Sequence, residues 1–287
     1  VIPAFGTTLE LEDELARCGV DLRRNDATCP FVKKVWRRAE MLAKENFTVI
    51  IHGKFSHEET QATFSHTVRS AAALVIRGYD EARIVCDVIS GRLPADRFFE
   101  HFGDRVSNGF DPALHLRRVG IVNQTTMLAM ETEEIADLFR RTMAGKFGEQ
   151  ALAEHFADTR DTLCYATYEN QTATDELARA GADLAIVVGG YNSSNTSHLV
   201  ELLANYMPAY FVCDEREIIS AAEIRHFDLD RKEVMLTSPW LVARDSAGPL
   251  RIALTAGASC PDFTVEKVMR RILEFFPEAQ ALKASAQ

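Results

Sequence analysis

The chain has 287 residues, a formal net charge of −10 and a pI near 5.4. Apolar residues make up 47% of it and charged residues 26%, which is ordinary for a globular protein with a packed core. The acidic balance argues against a nucleic-acid partner bound mainly through its phosphates. No apolar run approaches the roughly 18 residues that predict a membrane span. We therefore expect neither a nucleic acid nor a membrane as partner.

Short apolar runs alternate with amphipathic helical patterns along the chain. The first part predicts strands at 1–6, 47–51 and 72–76, and helices at 9–18, from residue 30, from His57, and at 80–89. Residues 91–117 are rich in Gly, Pro and charge, and we interpret them as an excursion between elements rather than a domain.

The same alternation continues in the second half. A strand at 119–122 is followed by a helix through Ile135 and Phe139, and a helical segment at 148–157 leads through 163–167 to a helix at 171–180. Further elements are predicted as follows: strands at 184–188, 209–213 and 251–254, helices beyond 192, at 215–223 and at 264–275, and a polar linker at 224–248. This order predicts the α/β class with mainly parallel sheets.

One construction recurs, in which a buried strand leaves through a polar loop into a helix. After the apolar run 184–188 come two glycines, and then Ser193, Ser194 and Asn195 precede a helical pattern. Free N–H groups at a helix N-terminus favour an anion, although an N-cap with two spare serines gives the same pattern. Similar loops lie at 5–8, 52–59, 123–126 and 255–259. Since ligands bind at the carboxyl ends of parallel strands, we expect these loops to enclose one polar pocket.

His57 and Glu59 lie where a helix is predicted to begin. The zinc-protease motif HExxH is excluded because position 61 is Gln. An anion-binding imidazole beside a proton-donating carboxyl is one interpretation of the pair. An acid-rich first helical turn is the other.

The six cysteines are widely spread without a CxxC pair, which favours a reducing compartment. Cys29 and Cys164 stand at loop–helix junctions, where a thiolate can be stabilised. A nucleophilic cysteine, an iron–sulfur ligand and a buried structural cysteine all stay open for them.

Six motifs follow one another across almost the whole chain. They are DATCP (26–30), HGKFSHEET (52–60), NQTTM (123–127), LCYAT (163–167), GGYNSSNTSHL (189–199) and TAGASCPD (255–262). In this order they resemble the LytB/IspH family of 4-hydroxy-3-methylbut-2-enyl diphosphate reductases, and most of all its cyanobacterial and plastid branch.

The resemblance implies three small α/β units in a pseudo-threefold arrangement around a central polar pocket, with the first unit incomplete. We expect residues 1–33 to be the remainder of the first domain, 34–125 the second domain and 126–250 the third. Residues 251–287 are expected to return to the first domain.

The resemblance also implies an oxidoreductase of isoprenoid biosynthesis, acting last in the methylerythritol phosphate pathway. Such an enzyme converts (E)-4-hydroxy-3-methylbut-2-enyl diphosphate to isopentenyl and dimethylallyl diphosphates by reductive dehydroxylation. Its cofactor is a 4Fe-4S cluster with one iron free of protein ligands. The implied partners are this allylic diphosphate and a ferredoxin or flavodoxin-type electron donor, in the bacterial cytoplasm or the plastid stroma.

Site residues follow from the same motif matches. Glu59 and Thr125 are implied to supply protons. The implied diphosphate-binding residues are His57, Thr125, Ser193, Ser194, Asn195 and Ser259, and the implied cluster ligands are Cys29 and Cys164. The family's third cluster cysteine has no counterpart here, and we expect it in a missing N-terminal segment. A cluster-free diphosphate-binding relative, an inactive truncated form and a cysteine-dependent hydrolase are the alternative interpretations.

Overall fold

The structure is a computed structural model that describes residues 1–157, 162–241 and 249–276. Helices and strands alternate through these residues, so the predicted α/β class with mainly parallel sheets is confirmed. The chain divides into two compact units, Val1–Tyr165 (unit 1) and Ala166–Gln287 (unit 2). The division into three domains and their pseudo-threefold arrangement stay predictions.

Unit 1 holds a four-stranded parallel sheet in the order β2-β1-β3-β4. Its strands are β1 (Thr48–His52), β2 (Ala73–Ile76), β3 (Val119–Asn123) and β4 (Phe156–Ala157). Its helices are α1 (Leu9–Arg17), α2 (Leu22–Asn25), α3 (Pro30–Lys44), α4 (Glu58–Val68), α5 (Tyr79–Ile89), α6 (Phe98–Phe102), α7 (Pro112–His115), α8 (Ala129–Phe147) and α9 (Leu152–His155).

The unit 1 sheet is buried on both faces. Side chains of a strand alternate between the faces, so Ile50 packs with α5 and α8, whereas Val49 and Ile51 pack against α3. Gly120 in β3 lets α3 approach closely, because a Cβ there would lie 2.5 Å from a methyl group of Leu42. These continuous apolar strands are typical of a parallel sheet covered by helices.

The excursion 91–117 completes the unit 1 core. Phe98 and Phe102 are fully buried, and the ring of Phe98 stacks on that of Phe110 at 5.4 Å. The segment also pairs with the edge strand β2: Ser107 donates its N–H to the carbonyl of Ala73, and its hydroxyl accepts from the N–H of Ala73. The segment is therefore a connection whose aromatic side chains belong to the core.

Unit 2 holds a five-stranded sheet in the order β8-β7-β6-β5-β9. Its strands are β5 (Leu184–Val188), β6 (Ala209–Val212), β7 (Ile224–Asp228), β8 (Glu233–Thr237) and β9 (Ile252–Ala256). Its helices are α10 (Tyr165–Arg179, whose first residue closes unit 1), α11 (Ser194–Ala204) and α12 (Asp262–Leu273). β5, β6 and β9 are parallel, and β9, which lies in the segment 251–287, pairs with β5.

The central strand β5 is buried on both sides. Ala185 and Val187 face α11, and Leu184, Ile186 and Val188 pack with α12 and Trp240. This arrangement places the carboxyl end of β5 directly before the N-terminus of α11, as the predicted strand–loop–helix construction requires.

Several local predictions are wrong. Residues 1–6 form no strand and make only an isolated bridge, between Ile2 and Asp26. Residues 224–237 form the antiparallel hairpin β7–β8 instead of a linker, and the predicted helix 215–223 is a single 3-10 turn at Glu215–Glu217. α10 begins at Tyr165, ahead of the predicted start at 171. The rest of the predicted linker at 242–248 and the tail after Pro277 lie outside the described residues. In the described part of the chain, every helix is too short or too polar to cross a membrane.

Candidate functional site

The carboxyl ends of β1 and β3 bring two polar loops of unit 1 together. The two strands are in parallel register, with His52 opposite Asn123 as the last pair. The loop after β1 leads into α4, which carries Glu59 in its first turn, and the loop after β3 carries Thr125. Both loops therefore leave the sheet at the same edge.

Glu59 and Thr125 make direct contact in this edge. The backbone N–H of Thr125 donates to Oε1 of Glu59 at 2.6 Å, and its hydroxyl donates to Oε2 at 2.9 Å. Burial raises the pKa of Glu59 to about 7, outweighing the two hydrogen bonds, which lower it. A carboxyl that titrates near neutrality is suited to donating and regaining a proton.

His57 is the N-cap of α4. Its Nδ1 accepts the backbone N–H of Glu59 at 3.2 Å, which satisfies one of the free donors of the helix. In the neutral ring the proton then belongs to Nε2, an assignment that follows from the hydrogen bond. The same side chain thus fixes the first turn of α4 and presents a donor nitrogen.

Gln124 connects both loops, although the sequence did not mark it as a site residue. Its Oε1 accepts from the hydroxyl of Thr60 at 3.0 Å and from the N–H of Lys54 at 3.1 Å. Its Nε2 donates to the hydroxyl of Thr126 at 2.9 Å. The loop needs Gly53 here, because a Cβ would lie 2.6 Å from the Thr60 hydroxyl. The feature of the sequence that could have indicated Gln124 is its position directly after the buried strand β3.

Cys29 and Cys164 each stand directly before a helix of the chain. Cys29 is the N-cap of α3, and Cys164 precedes α10. The rings of Phe31 and Tyr165 lie 6.3 Å apart, so the two helix starts are neighbours. Both cysteines are unpaired and partly exposed, and the N–H of Cys164 donates to the carbonyl of Thr125 at 3.1 Å. Two soft thiol ligands at neighbouring helix N-termini fit an iron–sulfur group.

In unit 2 the serines and Asn195 surround the N-terminus of α11. Ser193 is the N-cap, and its hydroxyl accepts from the backbone N–H of Thr196 at 3.3 Å and from its hydroxyl at 2.9 Å. Asn195 is only 7% exposed, and both polar atoms of its amide are buried without a hydrogen-bond partner among the described residues. A buried amide of this kind is costly unless a ligand pairs with it.

Thr196 holds the exits of β5 and β9 against the same helical turn. A Cβ on Gly189 would lie 2.6 Å from the Thr196 hydroxyl, and a Cβ on Gly257 would overlap it. Ser259, which is exposed, follows in the Gly257 loop. Ser194 begins α11 and is half-buried. Unit 2 therefore gathers Ser193, Ser194 and Asn195 on one turn, with the loop of Ser259 packed against that turn.

The fold and these loops define a class: an α/β protein with polar, anion-suited loops at the carboxyl ends of parallel strands. A protein-family model described as "LytB protein" matches residues 1–273. The chain belongs to the LytB family.

Two cyanobacterial relatives are named 4-hydroxy-3-methylbut-2-enyl diphosphate reductase. The protein of Gloeobacter violaceus is 43% identical over 278 residues, which cover 96% of this chain and 64% of the relative. That of a Synechococcus species is 42% identical over 275 residues, covering 96% and 66%. The chain thus spans slightly less than two thirds of the length of these relatives.

A solved structure of the E-1-hydroxy-2-methyl-but-2-enyl-4-diphosphate reductase from Plasmodium falciparum is similar in fold. The TM-score is 0.57 at 22% sequence identity, and the match covers 94% of this chain and 65% of that one. At this identity the likeness supports the fold alone.

Proposed function

We propose that the chain is an iron–sulfur oxidoreductase that converts (E)-4-hydroxy-3-methylbut-2-enyl diphosphate to isopentenyl and dimethylallyl diphosphates. Membership of the LytB family and the names of the cyanobacterial relatives support this proposal. The reaction consumes two electrons and two protons, breaks the allylic C–O bond and releases water. A ferredoxin or flavodoxin-type protein is the proposed electron donor, and the bacterial cytoplasm or plastid stroma the proposed compartment.

Cys29 and Cys164 are the proposed ligands of a 4Fe-4S cluster. When bound, the cluster supplies the electrons and, at an iron without a protein ligand, a Lewis acid for the substrate hydroxyl. Both cysteines directly precede helix starts that lie close together at Phe31 and Tyr165, and this supports the assignment.

Glu59 is the proposed proton donor, and the Glu59–Thr125 contact is the observation that carries the proposal. Because Glu59 is buried and its pKa is about 7, the carboxyl is partly protonated at neutral pH. The Thr125 hydroxyl, 2.9 Å from Oε2, relays that proton to the leaving hydroxyl group.

Diphosphate-binding roles are proposed in each unit by itself: for Ser193, Ser194, Asn195 and Ser259 in unit 2, and for His57 and Thr125 in unit 1. Serine hydroxyls, the Asn195 amide and the N–H groups at the start of α11 are donors of the kind that phosphate oxygens accept. The Asn195 amide, which has no hydrogen-bond partner in the described part of the chain, supports this assignment most directly. On binding, the ligand would supply its missing partner.

The test compares Glu59→Gln with Glu58→Gln, its exposed neighbour in the same helical turn. Protein is supplied with iron and sulfide anaerobically, and iron content, diphosphate binding and turnover are measured. We expect Glu59→Gln to lose at least about 100-fold in turnover while iron content and binding stay unchanged, and Glu58→Gln to match the wild type. Unchanged turnover in Glu59→Gln would remove Glu59 from the mechanism. A wild-type protein that binds no iron, even when supplied with the N-terminal segment expected to carry the third cysteine, would overturn the reductase proposal itself.

A further inference from the structure

Three buried polar side chains lie beside the candidate site of unit 1 without a part in the proposed reaction. His52, Asn123 and Thr162 are exposed by 0%, 1% and 1%. His52 and Asn123 end the strands β1 and β3, and Thr162 lies on the segment that leads to α10. We call this group the His52–Asn123–Thr162 bracket.

The hydrogen bonds of the bracket fix the orientation of the Asn123 amide. The hydroxyl oxygen of Thr162 accepts both the backbone N–H of Asn123, at 3.1 Å, and its Nδ2, at 2.8 Å. The amide oxygen of Asn123 then points to Nδ1 of His52, 3.3 Å away. Since that oxygen only accepts, His52 donates from Nδ1. His52 is held in turn by the hydroxyl of Thr132, 3.4 Å from the same nitrogen.

Two hydrogen-bonded connections join the segment 123–125 to the segment 162–164, and the bracket forms the first of them. Asn123 bonds to Thr162, and two residues further along both segments Thr125 accepts the N–H of Cys164 at 3.1 Å. The 123–125 segment carries the contact of Thr125 with Glu59, and the 162–164 segment carries Cys164. The connection between Asn123 and Thr162 uses their side chains, so a substitution at either position can remove it.

We propose that Asn123 and Thr162 are positioning residues that hold Cys164 at a fixed place beside Thr125, with His52 orienting the Asn123 amide. The role of Cys164 as an iron ligand rests on the proposed function, whereas the positioning itself rests on the contacts above. Partners that hold a metal ligand in place usually affect the electronic properties of the metal as well as the fold. A bracket that only satisfies buried polar groups would leave the environment of Cys164 unchanged.

The decisive variants are Thr162→Val and Thr162→Ser. Valine keeps the shape of threonine without its hydroxyl, and serine keeps the hydroxyl. In iron-free protein labelled with 15N-cysteine, we expect the amide of Cys164 to exchange about tenfold faster in Thr162→Val than in the wild type. The Thr162→Ser protein should exchange as the wild type does. Equal exchange rates for Thr162→Val and the wild type would overturn the proposal.

The second readout is the EPR spectrum of protein supplied with iron and sulfide. The g-values should shift in Thr162→Val and return in Thr162→Ser. If neither the wild type nor the variants bind iron, even with the expected N-terminal cysteine segment supplied, the proposed function fails while the exchange rates still decide the positioning role. Should Thr162→Val not fold, Asn123→Ala takes its place: it keeps the backbone N–H bond to Thr162, so a smaller acceleration is expected. Exchange of Cys164 at the wild-type rate in Asn123→Ala would contradict the proposal equally.

Discussion

Glu59 shows how burial and hydrogen bonding compete on one side chain. Two donors from Thr125 favour the carboxylate, but removal from water favours the neutral acid more strongly, so the pKa rises from 4.5 to about 7. The folded state therefore binds a proton that the unfolded state has already released between these pH values. Stability that the neutral carboxyl contributes is fully present below pH 4.5 and is lost as the pH rises through 7.

We expect the wild type to lose roughly 3 kcal/mol of unfolding free energy relative to Glu59→Gln between pH 4.5 and pH 8. The glutamine cannot ionise, so its own pH-independent cost cancels in the difference. Urea unfolding of both proteins at the two pH values measures it. A difference that does not change with pH would mean that folding does not raise the pKa of Glu59.

A substitution of Asn195 should change diphosphate binding without changing the stability of the protein. Both polar atoms of its buried amide lack a partner among the described residues, so truncation to alanine removes a desolvation cost along with some packing. We expect Asn195→Ala to bind inorganic diphosphate about tenfold more weakly while its melting temperature stays within a few degrees of the wild type. Calorimetric titration and thermal unfolding test this.

The matched control is Asn192→Ala, an exposed asparagine in the same loop. It should bind diphosphate as the wild type does. A large drop in the melting temperature of Asn195→Ala, with unchanged affinity, would make Asn195 a structural residue.

At the residue scale, short motifs were enough to single out Glu59, Thr125 and Asn195 as candidates. They did not reveal Gln124 or Thr196, whose importance comes from contacts with other loops. The His52–Asn123–Thr162 bracket was not predicted for the same reason. In the sequence His52 is only the end of an apolar strand, and its partners lie far along the chain. Pairings between distant segments leave no local pattern to detect.

At the scale of the elements, the packing at the start of α11 requires small residues opposite Thr196, at Gly189 and Gly257. Thr196 fills the space between the exits of β5 and β9, and Gly257 leaves no room for a side chain beside it. The close contact implies that the two loops and the helix form one packed unit.

We expect Gly257→Ala to destabilise the protein by about 1–3 kcal/mol, because the added methyl group displaces Thr196 or the loop. The comparison is Gly145→Ala in the exposed part of α8, where nothing lies within 4 Å of the new Cβ. That change should stabilise the helix by about 0.5–1 kcal/mol. Thermal unfolding of both variants measures the sign of the stability change. If Gly257→Ala leaves the stability unchanged, the contact between Gly257 and Thr196 is loose.

Elements with clear apolar periodicity were predictable, and the errors have identifiable causes. The buried positions of α10 include Thr167, Gln171 and Thr174, so its inward face does not look apolar in the sequence. In β8, Val234 and Leu236 are about half exposed and a run of charged residues precedes them, which is typical of a linker by composition. Tertiary contacts therefore decided these segments.

On the scale of the whole molecule, each unit carries its own sheet and its own core. In unit 1 both faces of the sheet are covered by helices of Val1–Tyr165, and the excursion 91–117 completes the packing. The alternation of strands and helices predicted this class of fold. The division into domains depends on how distant segments assemble, which local patterns do not encode.

We expect a fragment of residues 1–165 to fold without unit 2, since its apolar strands are covered from within. Near-ultraviolet circular dichroism and a cooperative urea transition should be present in the isolated fragment. A fragment of residues 1–117, which lacks β3 from the middle of the sheet, is the control and should not fold. Absence of a cooperative transition in 1–165 would show that the unit depends on the rest of the chain.

The pairing of Ser107 with β2 also bears on solubility. An open edge strand is a template for another chain, and at β2 the Ser107 segment already uses backbone groups of Ala73. At the outer edge of the other sheet, β8 presents the half-exposed side chains of Val234 and Leu236. Sheet-to-sheet aggregation of a partly unfolded population should therefore start at β8 rather than at β2.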